Sequence, residues 1–268
     1  MKIYTFGDST KPVMLLLPGT CCHYRTFEDV IPRLQDYFYV AAVSYDGFDE
    51  TEDSIFPDMI TETEKIEKYI KEHFGGRIFA AYGCSLGGSF IGLLIQRKNI
   101  HIEHGFLGSS DLDQSGRFSA KIKSAMVVLM FHKMLVKGKL PGMFKKLLEK
   151  STPEEREYIS GFMKFFGIGE DAVNMSFVKK ASVRNQFYSD LVTPLEDGID
   201  VPGTTLHVFY ALKMGEEYEK RYLQHFKNPD IRRHNLQHEQ LLVGYPDKWL
   251  EEILACCRME SVDFDGRK

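Results

Sequence analysis

Ile78-Phe79-Ala80-Ala81-Tyr82-Gly83-Cys84-Ser85-Leu86-Gly87-Gly88-Ser89 is the stretch on which the reading of this chain turns, and Phe90-Ile91-Gly92-Leu93-Leu94-Ile95 follows it directly. An apolar run leads into a G-x-S-x-G turn, and a second apolar run without proline leads out of it. The order is strand, sharp turn, helix. A strand that reverses into a helix within a few residues leaves no room for side chains around the central position, which is the steric reason for glycine there. Ser85 is then expected to project alone from the turn, its hydroxyl aimed off the sheet edge, with the free N–H groups of the helix start beside it.

Working outward, Val13 to Leu17 is a continuous apolar run, as expected of a strand buried on both faces of a largely parallel sheet. It ends in Pro18-Gly19-Thr20-Cys21-Cys22-His23. Lys2 to Phe6 alternates like a short strand, Tyr39 to Tyr45 reads as the next buried strand, and Ile102 to Leu107, Thr204 to Ala211 and Ile231 to Leu236 supply three more. Helices are expected over Thr26 to Tyr37, over Pro57 to Phe74 with Gly75-Gly76 as the stop, and over Pro246 to Cys256. The acidic loop Asp46 to Glu50 reads either as solvated or as part of a pocket wall.

Between Gly108 and Pro202 the pattern is almost wholly helical. Phe118, Ile122, Met126 and Leu129 repeat at helical spacing, and Pro153-Glu154-Glu155 looks like a helix start. Richness in Met and Phe points to an apolar roof over a site, or simply to core. From Gln114 to Leu148 there is no acidic residue, while Arg117, Lys121, Lys123, Lys133, Lys137, Lys139, Lys145 and Lys146 are basic. Such a segment reads as a solvated face, or as one that meets a membrane surface or an anionic acyl substrate.

Strand, elbow, helix and the surrounding order of elements resemble the α/β-hydrolase superfamily over nearly the whole chain. The resemblance implies an α/β fold, a mostly parallel sheet flanked by helices. Residues 1-110 and 203-268 would form the core, and 111-202 a helical cap inserted before the penultimate strand. It implies Ser85 as the nucleophile and the backbone N–H groups of Thr20 and Leu86 as oxyanion donors. Pro18 stands where the family usually has His, a mild departure because backbone does the work. His238, just after the last strand in Gln237-His238-Glu239, resembles the family's Gly-His-Glu pattern and is the expected base, with His234 a weaker rival. The acid stays open. Met214, which cannot serve, stands at the usual position, so Glu216 is favoured, Glu217 is next in line, and Asp111, at the end of the preceding strand, is the rival.

These assignments imply a carboxylesterase cleaving a small-molecule ester with an apolar part, through an acyl-enzyme. The same residues would serve an acyltransferase, a thioesterase or a C–C hydrolase, and loss of the acid would leave a ligand-binding protein without turnover. No metal or organic cofactor is called for. Composition agrees: 268 residues with 43% hydrophobic content can fill one large α/β domain, and a net charge of −4 gives no general reason to expect nucleic acid. The N-terminus lacks the apolar region of a signal peptide, and no apolar run approaches bilayer-spanning length, so stable membrane insertion is not expected. Five cysteines in two adjacent pairs and one singleton show no metal-type spacing and fit a reduced, cytoplasmic protein. Oligomeric state is not legible.

Overall fold

The computed structural model describes residues 1–140, 142 and 148–259. Its strands are β1 (Lys2–Phe6), β2 (Val13–Leu17), β3 (Tyr39–Ser44), β4 (Arg77–Cys84), β5 (His101–Gly108), β6 (Thr205–Ala211) and β7 (Asp230–His234). They form one sheet in the order β1-β3-β2-β4-β5-β6-β7. Only β1 runs antiparallel to its neighbour; the other pairs are parallel. The apolar runs behave as strands covered on both sides. Leu15 and Leu17 join the core on one face of the sheet, while Met14 and Leu16 join the core on the other.

The helices are α1 (Ile31–Leu34), α2 (Met59–Phe74), α3 (Leu86–Arg97), α4 (Arg117–Lys137), α5 (Pro153–Lys164), α6 (Lys180–Val192), α7 (Glu216–His225), α8 (Gln240–Gly244) and α9 (Pro246–Cys256). Local chemistry accounts for their ends. Asp58 caps α2 by accepting from the Thr61 N–H at 2.8 Å, and Gly75 closes it in the left-handed region at φ 64. Thr152 and Glu155 form a reciprocal capping box ahead of α5, with Pro153 in its first turn. The single long helix expected over Thr26 to Tyr37 does not form. A 3-10 turn at Tyr24–Phe27 is followed by the four residues of α1. Pro32 is the reason, because it offers no N–H and its ring crowds the carbonyl four residues back. The apolar face survives the break: Phe27, Val30, Ile31 and Leu34 are all buried.

Helices α4, α5 and α6 lie between β5 and β6 in sequence, and α4 packs along α6. The four residues at helical spacing on α4 do not face inward. Phe118, Ile122, Met126 and Leu129 are all exposed, Phe118 to 80%. Lys145 and Lys146 of the basic segment lie outside the described residues, as do residues 260–268. No described helix is long and apolar enough to cross a membrane. All five cysteines are buried and none is in a disulfide.

Trp249 of α9 anchors the last helix. It is wholly buried and meets the Tyr82 ring edge-on with centroids 4.9 Å apart. Tyr82 belongs to the strand that carries Ser85, so this contact ties the chain's end to its centre. Trp249→Ala should cost about 3–5 kcal/mol of unfolding free energy in urea denaturation monitored by circular dichroism.

Candidate active site

Ser85 sits between β4 and α3 with φ 48 and ψ −112, a conformation that side-chain-bearing residues avoid. Such strain costs about 1–3 kcal/mol and persists only where the surroundings fix it. The neighbouring glycines permit it. A Cβ on Gly83 would lie 2.1 Å from the Gly87 carbonyl carbon, and one on Gly87 would lie 2.2 Å from the Leu17 carbonyl oxygen. Nothing larger than hydrogen fits at either position.

A buried carboxylate holds the turn from below. Glu239 Oε1 accepts from the Ser85 backbone N–H at 2.7 Å, and Oε2 accepts from the Tyr82 hydroxyl at 3.0 Å. Burial raises the Glu239 carboxyl to about 7, against which these two hydrogen bonds and one from Cys84 act. Sequence reading treats Glu239 only as the companion of His238. The signal that could have found it is an acid beside the expected base, directly after a short strand, where a second polar residue needs a buried partner.

Ser85, His238 and Thr20 line one cavity of about 460 Å³. Its wall is apolar: Met130, Phe131 and Met134 from α4, Phe162 and Met163 from α5, and Phe187 from α6. A pocket of this size, with a few polar groups among aromatic and Met side chains, suits a small apolar ligand. Helices α4, α5 and α6 thus line the cavity, using residues on α4 other than the four at helical spacing.

His238 is placed through its backbone. The Tyr158 hydroxyl of α5 donates to its carbonyl at 2.8 Å, and the next residue's N–H donates to Ser109 Oγ at 3.1 Å. The Phe162 ring meets the imidazole edge-on at 5.8 Å. Burial lowers the imidazole to about 4. Among the described residues no carboxylate raises it again, so the ring is neutral across the physiological range.

The candidate acids separate in space. Asp111 lines the cavity; Glu216 does not. Glu216 is exposed in the first turn of α7, where an acidic side chain complements the helix dipole, and Glu217 is exposed beside it. Met214 occupies the cavity wall at that end. Burial raises the Asp111 carboxyl, Asp113 adds repulsion, and Arg221 partly offsets both. The order of preference read from sequence is therefore reversed by position: the shorter acid at the end of β5 shares the cavity, and the glutamate favoured from sequence faces solvent.

The corner after β2, Pro18 to Cys22, is fixed from a distance. Gln186 of α6 is buried and its Oε1 accepts from the Cys21 N–H at 2.7 Å, which occupies that donor. The Thr20 N–H takes part in none of the described backbone or side-chain bonds of the corner. Leu86 opens α3, and a first-turn N–H has no partner within its own helix. The Asp46 to Glu50 loop lies elsewhere. Asp49 is wholly buried, accepting from the Tyr4 hydroxyl at 2.8 Å, and none of the loop lines the cavity.

Two clusters hold metal-type donors, and both are better explained by hydrogen bonding. His207 Nδ1 lies 2.9 Å from Asp230 Oδ2 and its Nε2 lies 3.2 Å from His104 Nδ1, with Cys256 near the same carboxylate. Arg232 also reaches Asp230 at 3.4 Å, so a fixed cation already matches that charge. In the second, His23 Nδ1 accepts from the Arg25 N–H at 3.3 Å, which leaves the proton on the Nε2 that faces Glu50 at 2.9 Å. A metal would need that nitrogen bare.

No family model matches this sequence, and no curated protein matches it. Many solved structures match the fold. A protein from Desulfitobacterium hafniense described as of the alpha/beta hydrolase family superposes with a TM-score of 0.70 at 18% identity, covering 94% of this chain and 100% of that one. A thermophilic esterase from Thermogutta terrifontis gives 0.68 at 16% identity, covering 96% and 92%. An enol-lactonase from Burkholderia xenovorans gives 0.65 at 13% identity, covering 95% of each chain. The chain has the α/β-hydrolase fold.

The raised Glu239 carboxyl carries a pH signature with a definite sign. Its contribution to stability is fully present below the unfolded value of 4.5 and is lost as pH rises through about 7. Glu239→Gln, which mimics the protonated acid, should lose this dependence. Measured by urea denaturation, wild type should weaken relative to the variant by up to about 3 kcal/mol from about pH 5 to about pH 8.

Proposed function

We propose, from the α/β-hydrolase fold that this chain shares with those structures, that it is a serine hydrolase acting on an ester with an apolar acyl or alcohol part. The observation that carries the proposal is the strained Ser85 in the same apolar cavity as a neutral His238. In this reading His238 takes the Ser85 proton as the hydroxyl attacks the ester carbonyl, giving a tetrahedral intermediate. The Thr20 and Leu86 N–H groups receive the negative charge on its oxygen. Collapse expels the alcohol, protonated by His238, and leaves the acyl group on Ser85. Water activated by the same imidazole then releases the acid.

Asp111 is the acid of this reading, because it is the one carboxylate among the described residues of the cavity wall. It acts on the imidazolium across the cavity rather than in contact, since burial alone sets the resting His238. Helices α4, α5 and α6 act as the cap that sets the size and polarity of the substrate. The resting state resembles a serine–histidine pair more than a tightly bonded triad.

A fluorophosphonate probe tests the nucleophile. Wild type should label, Ser85→Ala should not, and His238→Ala should label at least about a hundredfold more slowly. Folded wild type that does not label would favour a ligand-binding protein of the same fold. With a p-nitrophenyl ester, Asp111→Asn should lower kcat at least about tenfold while Glu216→Gln stays within about twofold; the reverse would restore Glu216 as the acid. Because the base must be neutral to act, kcat/KM should rise with pH through about 4 and be flat above about 5. A limb near the ordinary histidine value would instead mean that a carboxylate meets the ring.

A further inference from the structure

Helix α4 has two working faces. Met134 and Phe131 turn inward to the cavity, while Phe118, Ile122, Met126 and Leu129 turn outward. At 3.6 residues per turn the outward four fall within an arc of about 80°, along a helix about 32 Å long. Met126 is 66% exposed and Leu129 63% exposed, so this is a stripe and not a scatter of single residues. Arg117, Lys121, Lys123, Lys133 and Lys137 accompany it, with no acidic residue anywhere on the helix. Among the described residues, Lys121, Lys133 and Lys137 have no acidic partner.

A groove of about 530 Å³ runs between α4 and α6 beside this stripe. Lys121, Lys180 and Arg184 line it together with Tyr188, Leu129 and Ser124, and no acid lines it. Three cations converging on one concave surface suit a phosphate group, and Leu129 borders both the groove and the apolar stripe.

We propose that α4 docks this protein in the plane of an anionic lipid surface, its outward apolar residues entering the acyl boundary and its lysines, with the α4–α6 groove, taking the phosphate headgroups. An in-plane helix needs an apolar stripe bordered by Lys and Arg whose stems lie along the apolar surface while their charges reach the headgroups. A second copy of the chain is a poorer occupant. A two-fold contact through α4 would set its lysines against those of its mate, with no acid on either helix to answer them. Spanning is excluded on composition, since α4 is crowded with charge and does not qualify as a bilayer-crossing helix.

Docking in this orientation bears on substrate. Met130 lines the cavity and is 43% exposed at the border of the stripe, so the cavity wall reaches the face turned toward lipid. Reading the docked state as delivery of a lipid-borne ester rests on the ester-hydrolase proposal; the docking itself does not.

Sedimentation of the full chain with vesicles tests it, using phosphatidylcholine alone and phosphatidylcholine with about one third phosphatidylglycerol. The Ser85→Ala protein serves as well as wild type, so loss of the hydrolase reading would leave this measurement intact. Binding should be at least tenfold stronger to the anionic vesicles and should weaken with added salt. Phe118→Ser with Met126→Ser, and separately Lys121→Gln with Lys180→Gln and Arg184→Gln, should each lower it at least tenfold. These positions are on the surface, and circular dichroism melting should match wild type. A Phe118→Trp variant should shift its emission to the blue on anionic vesicles, against a constant background from buried Trp249. Wild type that stays in solution with both vesicle types overturns the proposal, as do variants that sediment like wild type. A concentration-dependent dimer that the Phe118 and Met126 changes dissolve would also overturn it and assign the face to a second copy.

Discussion

The hydrogen bond from the Ser85 N–H to the buried carboxyl of Glu239 is the constraint on which the rest depends. The left-handed conformation at Ser85 costs about 1–3 kcal/mol. A hydrogen bond to the protonated acid contributes about 0.5–1.5 kcal/mol and offsets part of that cost. Tyr82 shares that carboxyl, and Trp249 packs on Tyr82, so the elbow, the strand before it and the final helix are fixed against one another. The strain is exported into the core beneath the turn, leaving the hydroxyl of Ser85 at the cavity.

The same logic runs upward into the inserted helices. Tyr158 of α5 bonds the carbonyl of His238, and Gln186 of α6 bonds the N–H of Cys21. Each is a single neutral hydrogen bond, about 0.5–1.5 kcal/mol in net stability. Their importance is positional. One fixes the loop that carries His238 and the other fixes the corner that carries Thr20. Gly83 and Gly87 make the complementary contribution by omission, since any side chain at either would push strand and helix apart.

Much of the fold was legible because its signals are local. Lys2–Phe6, Val13–Leu17 and Pro246–Cys256 take the structure read for them, since apolar runs, turns and a proline start act over a few residues. Ser85 was legible as a position for the same reason: strand, glycine-rich turn and helix are contiguous. Glu239, Gln186 and Tyr158 were not, because their contacts span 154, 165 and 80 positions of sequence and leave no periodic trace. Glu216 is exposed and lies outside the cavity wall. Sequence puts it near the right sheet edge, but an acid in the first turn of a helix is already well accommodated facing water. The stripe on α4 shows the remaining limit, since periodicity reveals that a helix has an apolar face and not which side of it is covered.

The bond between Gln186 and Cys21 ties two parts of the cavity surround together. Neighbouring residues of α6 do separate jobs, Phe187 in the cavity wall and Gln186 on the Cys21 N–H, so the wall and the corner beside Thr20 are held in one register by a single turn of helix.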